Sequence, residues 1–246
     1  LVARGTGLFA EGLRARGISV SPRARSPIAL LESLGVLDVD PLLIHCVRVD
    51  DIDVRVIADH DCAVAHCPAS NARLAHGIAP LAELLAAGIQ VGLGSDSVAS
   101  SDRMDLLDEA RLALLFATAQ SGRVDALTSA QALELATIGG ARALGIAHET
   151  GSLEVGKAAD LAAFQLGAAS RAPVHDPVAA VVLALAGTPA WFVTVAGVPI
   201  VSNGRMLVSD AMLPARVQGI ANRLGDWLAS PDGARAILAP TPTPGR

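Results

Sequence analysis

Residues 41–96 run PLLIHCVRVDDIDVRVIADHDCAVAHCPASNARLAHGIAPLAELLAAGIQVGLGSD, and their rhythm decides the fold class. Three short apolar runs, Pro41–Cys46 (PLLIHC), Ala63–His66 (AVAH) and Ile89–Leu93 (IQVGL), read as buried strands. Between them, Asp50–His60 has acid at its start, where a helix dipole favours it, and Pro80–Ala87 is closed by Gly88. Continuously apolar strands joined by helices predict parallel β/α units rather than a meander. The same rhythm extends upstream, where Ser26-Pro27 offers an N-cap and a first-turn proline, and Gly35 a C-terminal stop.

Downstream, Asp105–Ala119 predicts a strongly apolar helix, and Thr128-Ser-Ala-Gln131 a capping box opening a helix over Ser129–Leu144 that Gly145 ends. After about residue 150 the texture changes. Gly151–Leu166 (GSLEVGKAADLAAFQL), Trp191–Ala196 and Val198–Ser202 read as short strands with turns, Leu213–Leu228 as a terminal helix, and the Pro/Thr-rich Ala239–Arg246 as a frayed end. The expected division is a β/α body over 1–150, strands of a small β-sandwich with one helix over 151–210, and a helix and tail over 211–246.

Composition removes several function classes. A chain of 246 residues with 52% hydrophobic and 17% charged content builds a core and is not disordered. Lys+Arg 19 against Asp+Glu 24 gives net −5, and 4 Phe, 2 Trp and no Tyr leave little to stack on bases, so no nucleic-acid partner is expected. Three cysteines are too few for a disulfide framework, which points to a reducing, cytoplasmic setting. Leu1–Ala15 lacks the layout of a signal peptide. The uncharged run Val178–Ser202 is long enough to raise a membrane span, but Gly187, Pro189, Gly197 and Pro199 break it into a helix and a hairpin.

In parallel β/α architectures, functional side chains gather at the C-terminal ends of strands. His45, His66 and Asp96 fall there in succession. Singly, each has a structural reading as a satisfied core histidine or an N-cap; together they aim at one mouth. His66-Cys67-Pro68-Ala69-Ser70-Asn71 and His76-Gly77-Ile78-Ala79-Pro80 follow the second strand. Gly94-Ser95-Asp96-Ser97-Val98-Ala99-Ser100 follows the third as a flexible, hydroxyl-rich loop suited to a metal or an oxyanion. Two competing motifs are weaker. Gly92-Leu93-Gly94-Ser95-Asp96-Ser97 begins like a dinucleotide loop but has serine at the third glycine and a carboxylate beside it. Cys62, His66 and Cys67 lack a fourth zinc ligand at a standard spacing. All three cysteines read as small buried hydrophobes, and Glu109 and Arg111 as solvated helix residues.

The strand-end His45-Cys46, the HCPASN, GIAP and GSDSVAS segments, Gly151–Asp160 (GSLEVGKAAD) and Val195–Gly204 (VAGVPIVSNG) together resemble the amidohydrolase superfamily. The resemblance runs from about residue 5 to 210 and is nearest to the chlorohydrolase/deaminase branch, which includes S-adenosylhomocysteine, methylthioadenosine and aminofutalosine deaminases. It implies an α/β fold: the C-terminal portion of a metal-dependent (β/α)8 TIM barrel plus strands of a small β-sandwich. It implies a metal-dependent hydrolase of C–N bonds other than peptide bonds, deaminating an aminopurine-like or related heterocycle and releasing ammonia. Asp96 then matches the carboxylate that binds the metal and takes a proton from the attacking water. His45 matches the histidine that hydrogen-bonds that water or the developing oxyanion. His66, Ser70, Asn71 and His76 fall to substrate contact or support.

The implied cofactor is a divalent metal, zinc or iron, and the implied partner a small heterocyclic substrate; a homo-oligomer is left open. The family's paired His-x-His ligands, its third ligand histidine and the Glu three residues after it have no counterpart here. The resemblance therefore implies that the N-terminal half of the barrel is absent and that this chain alone is inactive. The alternative is a half-barrel or pseudo-enzyme that works by pairing with a partner subunit, and either case predicts exposed strand edges and exposed apolar surface.

Overall fold

The structure, a computed structural model, describes residues 1–167, 172–208 and 211–233. Helices α1 (Leu8–Ala15) and α2 (Pro27–Ser33) and a 3-10 turn at Leu37–Val39 precede strand β1 (Leu42–Ile44). Helix α3 (Asp51–Asp59) returns the chain to β2 (Ala63–His66), and α4 (Pro68–Arg73) and α5 (Leu81–Ala86) return it to β3 (Val91–Leu93). The three strands are parallel in the order β1-β2-β3, with Leu43 opposite Val64 and Val64 opposite Val91.

The local chemistry explains the helix starts. Ser26 Oγ accepts the Ala29 N–H at 3.1 Å, and Asp50 accepts the N–H groups of Ile52 and Asp53 at 3.0 and 2.9 Å. Asp53 is 1% exposed, accepts Ser26 Oγ–H at 2.5 Å and pairs with Arg25, so the beginnings of α2 and α3 are tied together. Pleating places Leu43, Val64 and Val91 on one face, buried against Ile28, Ile57, Leu84 and Leu135. On the opposite face of β1, Leu42 and Ile44 are 36% and 58% exposed.

Beyond β3 come α6 (Val98–Ser101), α7 (Leu106–Ser121), α8 (Ser129–Leu135) and α9 (Ile138–Ala143). The capping box forms, with Thr128 and Gln131 reciprocating. The single helix expected over Ser129–Leu144 does not: it breaks at Thr137, whose backbone (φ −128°, ψ −103°) leaves helical space. Packing supplies the reason. Helix α9 turns to lie against β3 so closely that a Cβ on Gly92 would sit 2.6 Å from the Gly140 Cα. Glycine at both positions permits that approach.

The second sheet is antiparallel in the order β4 (Leu161–Ala163), β5 (Phe192–Val195), β6 (Val198–Ser202) and β7 (Arg205–Met206), with α10 (Pro177–Ala184) between β4 and β5. Of Gly151–Leu166 only Leu161–Ala163 is strand. The preceding segment turns through Gly151 (φ 93°) and Gly156 (φ 97°). The uncharged run divides into α10 and the β5–β6 hairpin, and among the described residues no helix is long and apolar enough to cross a membrane. Helix α11 (Leu213–Ala229) follows, and the stretch expected to fray, 239–246, lies outside the described residues. The architecture is thus a mixed α/β fold: a partial parallel sheet, like a truncated TIM barrel, plus an antiparallel sandwich-like sheet.

Candidate active site

The parallel strands carry His45 and Asp96 to one end of the sheet. His45 is the first residue after β1, and Asp96 stands three residues after β3. Their side chains approach to 3.8 Å (Nε2 to Oδ2) and are 33% and 30% exposed. The chain turns sharply to present them. His45, Cys46 and Asp96 have φ of 74°, 43° and 55°, in the left-handed region.

Asp96 Oδ2 accepts Ser70 Oγ–H at 2.6 Å and Ser100 Oγ–H at 2.9 Å. These two hydroxyls, with the Ser97 backbone N–H, hold the Asp96 carboxyl below the usual carboxylate range. The end of the loop expected to be flexible is a turn of helix, α6, from Val98 onward, with Ser97 capping it through the Ala99 N–H at 3.0 Å.

The other expected site residues sit at different depths. Ser70 and Asn71 are buried in α4, at 0% and 1% exposure. Asn71 Nδ2 and Oδ1 find no hydrogen-bond partner among the described residues, and neither do His45 Nδ1 and His66 Nδ1. His66 is 2% exposed; burial, and then the neighbouring His45, push its pKa down to about 4, so it is a neutral imidazole beneath the site. His76 is exposed and joins His45 and Arg48 in lining an apolar cavity of about 590 Å³ along β1. Ser70 and Asn71 do not line that cavity.

Glu109 corrects the sequence reading most. It is 2% exposed, in the first turn of α7, and accepts the Ala69 N–H at 3.0 Å. Burial pushes its pKa up to about 7, against the opposing effect of that hydrogen bond. The stripe Glu109, Ala113, Ala117 at four-residue spacing was the available signal, because the two alanines mark the buried face of α7. The three cysteines are buried, and burial raises the Cys46 and Cys67 thiols to about 11.

A catalytic zinc site uses three protein ligands and an open position. Here Asp96 and His45 converge, but among the described residues no group of three or more His, Cys, Asp or Glu side chains is placed to hold a metal ion. The Asp96 oxygen nearest His45 is already committed to two serine hydroxyls. The residues present do not, by themselves, fit a catalytic zinc ion. The Cys62, His66 and Cys67 set fails the same requirement.

The profile of the amidohydrolase family matches residues 15–200. A 5-methylthioadenosine/S-adenosylhomocysteine deaminase of Moorella thermoacetica is 38% identical over 139 residues, which is 55% of this chain and 32% of that protein. An adenosine deaminase from Xanthomonas campestris, solved with bound zinc, superposes with a TM-score of 0.78 at 31% identity, covering 87% of this chain and 47% of that one. The zinc complex of atrazine chlorohydrolase from Arthrobacter aurescens gives a TM-score of 0.71 at 32% identity, covering 86% and 45%. The chain therefore spans about a third of the length of that curated relative and less than half of either solved structure.

Proposed function

We propose that this chain, which belongs to the amidohydrolase family, supplies the carboxylate–imidazole part of a deaminase-type hydrolytic site and turns over no substrate until a partner completes that site. The observation that carries the reading is the state of Asp96. Its carboxylate stands beside His45 at the strand ends, while two serine hydroxyls and a backbone N–H draw down its proton affinity. Such a group is ionised at neutral pH but is a poor acceptor of a proton from ordinary water, because general-base catalysis is most efficient when the pKa lies near the working pH. The described residues offer no ligand set that would acidify the water instead.

Pairing is supported by the sheet. Strand β1 is an edge whose Leu42 and Ile44 are exposed, beside the apolar cavity that His45 lines. A parallel strand laid along that edge would pair with the β1 backbone and bring its own C-terminal end to the mouth where His45 and Asp96 meet, and further partner strands closing over that face would cover Leu42 and Ile44. In the completed site Asp96 accepts the proton of the attacking water, and His45 hydrogen-bonds the developing oxyanion. The substrate class is an aminopurine-like heterocycle losing ammonia, in keeping with the deaminases this chain is similar to. A divalent metal, zinc or iron, would supply the acidified water in that completed site, and its ligands would have to come largely from the partner.

The test is ammonia release from 5'-methylthioadenosine, S-adenosylhomocysteine and adenosine. The purified chain is assayed with zinc or iron(II) added, alone and co-expressed with the N-terminal barrel half of a homologous deaminase. The chain alone should show no turnover and sub-stoichiometric metal. The pair should gain activity that Asp96→Asn removes. Metal-stoichiometric turnover by the chain alone would sink the proposal.

A further inference from the structure

We propose that Glu109 is a positioning residue for the Asp96 carboxylate, acting through the Ala69 N–H and helix α4 on Ser70. The inference rests on the reading of Asp96 as the site carboxylate. A glutamate buried among the alanines of α7 is a costly choice for packing, and among the described residues its side chain's one hydrogen bond crosses to a different helix, at Ala69.

The geometry gives that bond a purpose. Helix α4 is six residues long, and its N-cap, Cys67, makes no side-chain capping bond. Glu109 therefore does from α7 what a local cap normally does, satisfying a first-turn N–H of α4. The next residue is Ser70, fully buried, whose hydroxyl lies 2.6 Å from Asp96 Oδ2. The relay is one peptide unit long: Glu109 Oε2 to the Ala69 N–H, then Ser70 Oγ–H to Asp96. At its other end α4 is tied to the Asp96 loop, because Arg73 Nε donates to Asp102 Oδ2 at 2.5 Å. Of the two ties the buried one at Ala69 is the stronger, since Arg73 and Asp102 are both largely exposed.

The charged groups acting on Glu109 are Asp105 and Asp108 of its own helix and Asp96 across the site, and the Cys67 thiol lies within its field. They and burial place its protonation near neutrality, so pH can loosen the hold in the unmodified protein.

The experiment is a series of ¹⁵N–¹H spectra of the intact chain from pH 5.5 to 8.5. The Ala69 amide should shift with a midpoint at about 7, and the Ser97 amide, which also donates to Asp96, should follow with the same midpoint. In Glu109→Gln both displacements should vanish, while the amide carbonyl keeps the Ala69 bond. In Ser70→Ala the Ala69 shift should persist and the Ser97 shift should be lost. If Ser97 moves identically in Ser70→Ala, Glu109 acts only by its direct field, and the relay is refuted. If the Ala69 amide moves neither with pH nor in Glu109→Ala, which removes the acceptor, the hold itself is refuted. None of these shifts depends on turnover, so they are decided separately from the catalytic proposal.

Discussion

Replacing Glu109 by glutamine should turn a nearly flat pH–stability profile into a sloping one. Two buried groups titrate in opposite senses in this protein. Glu109 moves from an ordinary 4.5 to about 7, so between those values the native state keeps a proton that the unfolded chain has lost. Its contribution is fully present below pH 4.5 and is lost as pH rises to 7. At about 1.4 kcal/mol per pH unit this amounts to roughly 3 kcal/mol. His66 moves from 6.5 down to about 4, so the unfolded chain binds a proton that the native imidazole refuses. Its contribution is present above pH 6.5 and is lost as pH falls to 4, again roughly 3 kcal/mol.

Between about pH 4.5 and 6.5 the two slopes oppose and nearly cancel. Asp50, Asp96, Asp125 and Glu154 are all held below their ordinary ranges, so their protonation weakens the fold only in more acid solution. Glutamine is neutral throughout and leaves the His66 slope alone. Urea unfolding at pH 4.5, 5.5, 6.5 and 7.5, at fixed ionic strength and with an unchanged m-value, reads the effect directly. The variant should match the wild type at pH 4.5 and exceed it by roughly 3 kcal/mol at pH 7.5. Parallel profiles at all four pH values would refute the reasoning, because they would mean Glu109 does not titrate in this window.

Gly92→Ala places a Cβ 2.6 Å from the Gly140 Cα, a backbone atom that cannot rotate away. A loss of about 1–3 kcal/mol is expected, seen as a lowered Tm, with near-ultraviolet dichroism reporting the displaced α9. Asp53→Ala removes the buried acceptor shared by Ser26 and Arg25, uncoupling the starts of α2 and α3. It should cost about 3 kcal/mol in urea unfolding; a loss under about 1 kcal/mol would show that solvent replaces the network.

Much of the parallel sheet was legible because its signals are local. PLLI, AVAH and IQVGL each announce a buried strand, and the punctuation between them (Asp50, Pro80, Gly88) is chemistry within one turn of the element it ends or begins. Strand-end placement of His45 and Asp96 follows from that parity, so their convergence could be anticipated. What escaped depends on partners distant in sequence. The break at Thr137 is imposed by β3, and nothing inside Ser129–Leu144 except Gly139-Gly140 hints that a strand lies against it. Glu109 reads as solvated because a charge ordinarily prefers water, and the hydrogen bond it accepts inside comes from Ala69, a residue whose side chain has no polar atom. The depth of Ser70 and Asn71 escaped for the same reason: small polar residues after a strand end read as substrate contacts until α7 is seen to pack against their helix.

The left-handed backbone at His45, Cys46 and Asp96 has a consequence for how this sequence changes over time. For a side chain bearing a Cβ, that conformation costs on the order of 1 kcal/mol per residue, and glycine is largely exempt. Two of the three, His45 and Asp96, are the residues that meet at the candidate site, so the turn that presents them is also a place where the protein gives up stability. Glycine would relieve the turn at 45 alone: at 46 it would empty a place in the core, and at 96 it would leave the buried Ser70 hydroxyl without its acceptor. Cysteine and aspartate thus return part of what their backbones cost through packing and hydrogen bonding, whereas the half-exposed His45, whose buried Nδ1 has no partner among the described residues, returns least to the fold.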